Sequence, residues 1–191
     1  MDDTRQRILH EALALFSERG SDGGSMRDLA ERAGVNVATA YHHFGSKRGL
    51  ILALFREFGF IAALDQPVEQ ATAHLKGTPR QILEQMLFDT WMLMSVGAEF
   101  IRFLMLEALT GDREAVTIAN EFRDHGQRNL EAALVQTGVV SRAGAPGFAT
   151  ALREVVWGVF FEGLMNGTLN EQWLRERAAV SARVLAPKQR R

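Results

Sequence analysis

The 191-residue chain sets 22 Lys and Arg against 23 Asp and Glu, is 47% hydrophobic and contains no cysteine. Its length supports one or two small domains with a sizeable core, its apolar share excludes wholesale disorder, and disulfides and thiolate metal sites are ruled out. The polar start MDDTRQR is unlike a signal peptide. No uncharged apolar run approaches the ~18–20 residues that cross a bilayer, so the chain is expected to be soluble and cytoplasmic.

Helical periodicity begins near residue 4, with Ile8, Ala12, Leu15 and Phe16 on one face and Gly20 as the stop. After the loop SDGG comes the most informative stretch, SMRDLAERAGVNVATAYHHFGSKR over 25–48. Ser25 and Asp28 form an S-x-x-D capping box that marks a helix start. Met26, Leu29, Ala30 and Ala33 give a short apolar stripe, and Gly34 follows it as a left-handed cap. Asn36 can cap the next helix, whose stripe reads Ala40, Tyr41 and Phe44. A gap of about three residues between two short helices is the spacing of a helix-turn-helix. The second helix projects Asn36, Val37, Ala38, Thr39, His42 and His43, side chains that a helix could bring to base edges and phosphates. Against this, seven cations balance seven carboxylates over residues 1–48. The broad basic footprint of a non-specific nucleic-acid binder is therefore missing. Arg27, Lys47 and Arg48 nevertheless sit beside the presumed reading helix.

Ser46 opens a longer helix, expected to reach about Leu64 before Pro67 ends it. A short helix is possible over 68–76, and Gly77 to Pro79 punctuate again. Further helices follow over about 79–95, 97–109, 112–137, 147–166 and 170–185, and the KQRR tail should fray. Period-2 alternation and hairpin turns are absent. The fold class is all-α, with a three-helix N-terminal domain over 1–47, a larger helical domain over 48–191 and about nine helices in total.

Two segments of the larger domain, MLFDTWMLM and FIRFLMLEAL, are apolar on nearly every face, as central helices are. Their Met and aromatic residues fit either an irregular core or an adaptable pocket. Trp91, Met94, Phe100, Phe103, Met105 and Phe122 are the candidate walls, with Asp89, Glu107 and His125 as polar groups. A buried carboxylate there needs a partner such as Arg102 or His125, or else must protonate or lie solvated at a rim. LREVVWGVFFEGLMNG is likewise apolar on more faces than one domain needs. Val155, Val156, Val159, Phe160 and Gly163, with Trp173, Leu174, Ala178 and Ser181 from the last helix, are candidates for a self-association face. No G-x-S-x-G, glycine-rich phosphate loop or H-E-x-x-H occurs, and the five histidines are scattered. No catalytic residue, cofactor or metal is expected.

From Arg5 to Phe55 the chain resembles the N-terminal domain of the TetR family of bacterial transcriptional regulators. The likeness rests on RQRILHEALALFSERG, RDLAERAGV, ATAYHHF and GSKRGL at the family's spacings. It implies base contacts at Arg27, Val37, Ala38 and Tyr41, and phosphate contacts at Thr39, His42, His43 and Lys47. Asn36 stands where Ser is common, which keeps the cap but alters a possible phosphate contact; Ala40 replaces a larger aliphatic residue. The resemblance also implies a small effector in the C-terminal domain and a homodimer built on the last two helices. Together these point to a repressor released from a palindromic DNA operator by a mostly apolar ligand. Two rival readings are a DNA-binding regulator without an effector, and a helical carrier or enzyme using the same pocket.

Overall fold

The computed structural model describes residues 3–20, 23–58 and 67–186. Among them are ten helices and no strand. They are α1 (Asp3–Arg19), α2 (Met26–Arg32), α3 (Val37–Phe44), α4 (Lys47–Phe58), α5 (Val68–Thr72), α6 (Pro79–Val96), α7 (Ala98–Leu109), α8 (Arg113–Gln136), α9 (Ala145–Asn166) and α10 (Glu171–Leu185). The all-α expectation holds, and the helix beyond the expected nine is the five-residue α5. The stretch from Gly59 to Leu64 expected at the end of α4, and the KQRR tail, lie outside the described residues. No described helix is long and apolar enough to cross a membrane.

The chain divides into two compact units, Met1–Phe60 with Gly97–Phe122, and Ile61–Val96 with Arg123–Arg191. This differs from the expected boundary at 47/48, because α4 and α7 pack with the N-terminal helices. The cause is visible in α1. Leu9 and Leu13 are buried as well as Ile8, Ala12, Leu15 and Phe16, so α1 carries an apolar arc too wide for α2–α4 alone to cover. Phe100, Phe103 and Leu104 of α7 complete that core, with the Phe16 and Phe103 rings 5.7 Å apart.

In the second unit α6 buries Ile82, Leu83, Met86, Leu87, Trp91 and Met94. The Trp91 indole donates Nε1–H to the Val156 carbonyl of α9 at 2.9 Å. From α10, Leu174, Ala178 and Ala182 are buried, and the Arg175 guanidinium lies 4.1 Å from the centre of the Phe88 ring. The α9–α10 corner closes over Gly163, where a Cβ would lie 2.5 Å from Leu169 and 2.9 Å from Trp173.

Candidate nucleic-acid interface

The helix-turn-helix is held by local hydrogen bonds at both ends of α2. Ser25 Oγ accepts from Asp28 N at 3.2 Å, while Asp28 Oδ2 accepts from Ser25 N at 2.8 Å and from Ser25 Oγ at 2.7 Å. These bonds stabilise the charged form, so the Ser25 hydroxyl first, then its backbone N–H, hold the Asp28 carboxyl below its usual range. At the other end of α2, Val35 N donates to Ala30 O at 2.9 Å. Asn36 Oδ1 then accepts from Ala38 N at 2.9 Å and caps α3 as expected.

Alpha-helical spacing decides which face of α3 is free. Ala40 is fully buried, and Val37 and Phe44 pack half-buried on the same core. These three positions, at i, i+3 and i+7, are the true inward stripe. Two expectations change. Val37, read as a base contact, is engaged with the core, and Tyr41, read into the stripe, stands 48% exposed. Ala38, Tyr41 and His42 are exposed, as are Asn36 and Arg27, whereas Thr39, His43 and Lys47 are half-buried. The His42 and His43 rings lie 5.6 Å apart. Lys47 Nζ is 5.8 Å from the centre of the Phe16 ring of α1.

A tight corner joins α3 to α4. Gly45, at φ 71°, donates to Tyr41 O at 2.7 Å, a backbone region in which glycine pays no steric penalty. Ser46 Oγ accepts from Gly49 N at 2.9 Å. A Cβ on Gly49 would collide with the Phe44 carbonyl oxygen, so only glycine lets the first turn of α4 sit against the last turn of α3. Arg5 bridges the same elements, with its guanidinium 5.5 Å from the Phe44 ring centre and 2.8 Å from Glu57. Neither Gly49 nor Arg5 is among the expected site residues. The GSKRG run was a signal for the first, since a glycine in an opening helical turn costs stability unless contact requires it.

The nine residues expected around an effector fall in both units. Phe100, Phe103, Met105, Glu107 and Phe122 belong to the first unit, and Asp89, Trp91, Met94 and His125 to the second. Phe100 and Phe103 are core, and Trp91 and Met94 are buried within the second unit. Asp89 is paired, but with neither Arg102 nor His125: its oxygens lie 2.8 Å from His74 Nε2 and 2.7 Å from Gln85 Nε2. Glu107 is 6% exposed rather than solvated at a rim. It lines a cavity of about 700 Å³ in the first unit, with Glu18, Arg48, Ile51 and Asp112.

The expected dimer residues also divide. Val156, Phe160, Gly163, Leu174 and Ala178 are buried by their own chain, and Val155, Val159, Trp173 and Ser181 are half-buried. On α9 and α10 the large apolar side chains left in solvent are Met165 at 80%, Val180 at 52% and Val184 at 77%. Because α9 is apolar on both sides, periodicity alone cannot say which side meets α6.

Residues 8–54 match the family model described as bacterial regulatory proteins, tetR family. Over 106 residues the chain is 31% identical to a protein of Bacillus subtilis named as a probable HTH-type transcriptional regulator, YttP, covering 54% of this chain and 50% of that one. Over 55 residues it is 44% identical to the HTH-type transcriptional repressor AcnR of Corynebacterium glutamicum, covering 29% of each. The chain therefore spans half of the first relative's length and under a third of the second's. Across the whole fold it is similar to the crystal structure of the TetR family transcriptional regulator PfmR from Thermus thermophilus, with a TM-score of 0.65, 25% identity and complete coverage of both chains. These relatives are named as regulators or a repressor of transcription, none as an enzyme.

Proposed function

We propose that the chain is a member of the TetR family of bacterial regulatory proteins, a reading that its N-terminal match and its fold support, and that it is a DNA-binding transcriptional repressor acting as a homodimer. The observation that carries this reading is the outward face of α3. Ala38, Tyr41 and His42 are exposed on the helix that follows a capped turn, with Arg27 and Lys47 at its sides. Short or planar side chains of this kind, with Arg27 beside them, can approach base edges, while Lys47 takes a phosphate. With no net charge over residues 1–48, recognition relies on two reading heads placed one helical turn of DNA apart rather than on general attraction. The second copy is held by the exposed apolar residues of the last helices. Val180 and Val184 lie one turn apart on α10 and mark the face that a two-fold partner would cover.

The effector in this reading is a small, mostly apolar molecule bound in the second unit. Trp91 and Met94 act there as framework. Regulation then follows from differential affinity of the ligand for DNA-competent and DNA-incompetent dimers.

Selection from random duplexes tests the central claim. The wild-type chain should enrich a palindrome, Tyr41→Ala should relax one base step at a cost of roughly 1–3 kcal/mol, and Lys47→Ala should lower the salt slope by about one unit per subunit. Enrichment of no sequence removes the DNA-reading proposal.

A further inference from the structure

Arg48 stands next to Lys47 and by sequence counts among the cations flanking the reading helix. The structure gives it another occupation. Its Nη1 donates to Asp112 Oδ2 at 2.6 Å, while the other oxygen of the same carboxylate accepts from Ala115 N at 2.9 Å. One side chain thus caps α8 and grips the first turn of α4. Both residues belong to the first compact unit.

The acceptor is itself fixed. Asp112 N donates to Glu107 O at 3.1 Å, and Thr110 Oγ1 donates to the same carbonyl at 2.8 Å, so the α7–α8 corner presents the carboxylate in one place. On the other side, the Phe44 carbonyl leaves no room for a Cβ on Gly49, and Leu50 and Leu54 are buried in the core that Ala40 and Phe44 join, so the start of α4 and the end of α3 are packed together. A constraint on Arg48 is therefore a constraint on α3.

We propose that Arg48 is a positioning residue of the DNA interface: through Asp112 it sets the angle at which α3 presents Ala38, Tyr41 and His42, and it does not act as a phosphate contact. This rests on the DNA-reading proposal above and names a residue that controls it. The pair is partly exposed, at 47% and 21% for the two side chains, so its worth lies in direction more than in bulk stability.

The test is a double-mutant cycle on the full-length chain with Arg48→Gln, Asp112→Asn and both together, beside Arg48→Lys. Asparagine keeps an oxygen for Ala115 N, so α8 stays capped. Affinity for the selected duplex is measured across a salt series, and amide hydrogen exchange of α3 and α4 is followed without DNA. Each single substitution should weaken specific binding by about tenfold, the order expected of a partly exposed pair counted once per subunit. The double should be no worse than either single, the salt slope should match wild type throughout, and Arg48→Lys should recover much of the loss. Exchange should quicken in α3 and at the start of α4 in both singles.

A phosphate-binding Arg48 would behave otherwise. Arg48→Gln would flatten the salt slope by about one unit per subunit, and Asp112→Asn, by releasing the cation, would bind as tightly as wild type or tighter; either result overturns the proposal. Should wild type select no duplex, the DNA reading fails by itself. The positioning claim is then decided by exchange, and unchanged protection in α3 and α4 overturns it.

Discussion

Trp91 separates a framework from a pocket wall, and replacing it with phenylalanine gives a measurable difference. The indole is fully buried and donates to the Val156 carbonyl at 2.9 Å. Phenylalanine removes the donor, at about 1 kcal/mol for a buried neutral hydrogen bond. It also removes two ring carbons, at about 0.8 kcal/mol for each buried carbon. The sum is roughly 2.5 kcal/mol, since the surrounding α6 and α9 backbones relax only in part. For a chain of 191 residues, each kcal/mol moves the melting midpoint by about 2–4 °C, so Tm should fall by about 5–10 °C. Circular dichroism melting at fixed protein concentration measures it, with DNA affinity well below the transition as control. That affinity should stay unchanged, because Trp91 belongs to the second unit and the reading head to the first. A Tm within 2 °C of wild type would refute the reasoning and return Trp91 to the role of an uncommitted pocket wall.

Gly49→Ala should collapse the α3–α4 corner, because its Cβ meets a backbone carbonyl that cannot rotate away. Gly126→Ala in α8, where a Cβ meets nothing within 4 Å, should raise stability by roughly 0.5–1 kcal/mol; thermal melting of the two variants checks both signs. Phe160→Glu buries a lone charge inside the chain and should unfold it at a cost of several kcal/mol. Val184→Glu, in contrast, should leave a folded chain of 21.3 kDa by light scattering, and a Val184→Glu chain that weighs twice that moves the dimer face elsewhere. The capping box makes a pH prediction. Because folding lowers the Asp28 pKa, its contribution is complete above the unfolded carboxylate value and disappears as pH falls through the folded one. The stability gap between wild type and Ser25→Ala, which loses the largest cause of that shift, should therefore be constant near neutrality and narrow below about pH 4, to what the Asp28 N–H bond to Ser25 Oγ leaves. Urea titrations at several pH values read that gap.

The reading head was legible in the sequence because its structure is made locally. Ser25 and Asp28 cap over three residues, Asn36 caps over two, and the stripes of α2 and α3 follow helical spacing, so residue order alone carried the all-helical class and the helix-turn-helix. The family likeness added positions for DNA contacts, and most of them are exposed or half-exposed. Local order also left Val37 and Tyr41 undecided, since either completes a stripe with Ala40 and Phe44. Packing against the shared core chose Val37 and left Tyr41 exposed.

What only the tertiary structure decided are the pairings between distant helices. An apolar residue is attracted to any apolar surface, because the hydrophobic effect has no direction. Phe100 and Phe103 could therefore be read as pocket walls until α1 was seen to need them, and Phe160 and Gly163 as a dimer face until α9 was seen to turn them inward. The same holds for charges. Arg48 and Asp112 stand 64 positions apart, and no spacing rule links them; the fold brings them to 2.6 Å by closing α4 onto the α7–α8 corner. Sequence determined which residues prefer to be buried, capped or charged, and three-dimensional packing decided against what.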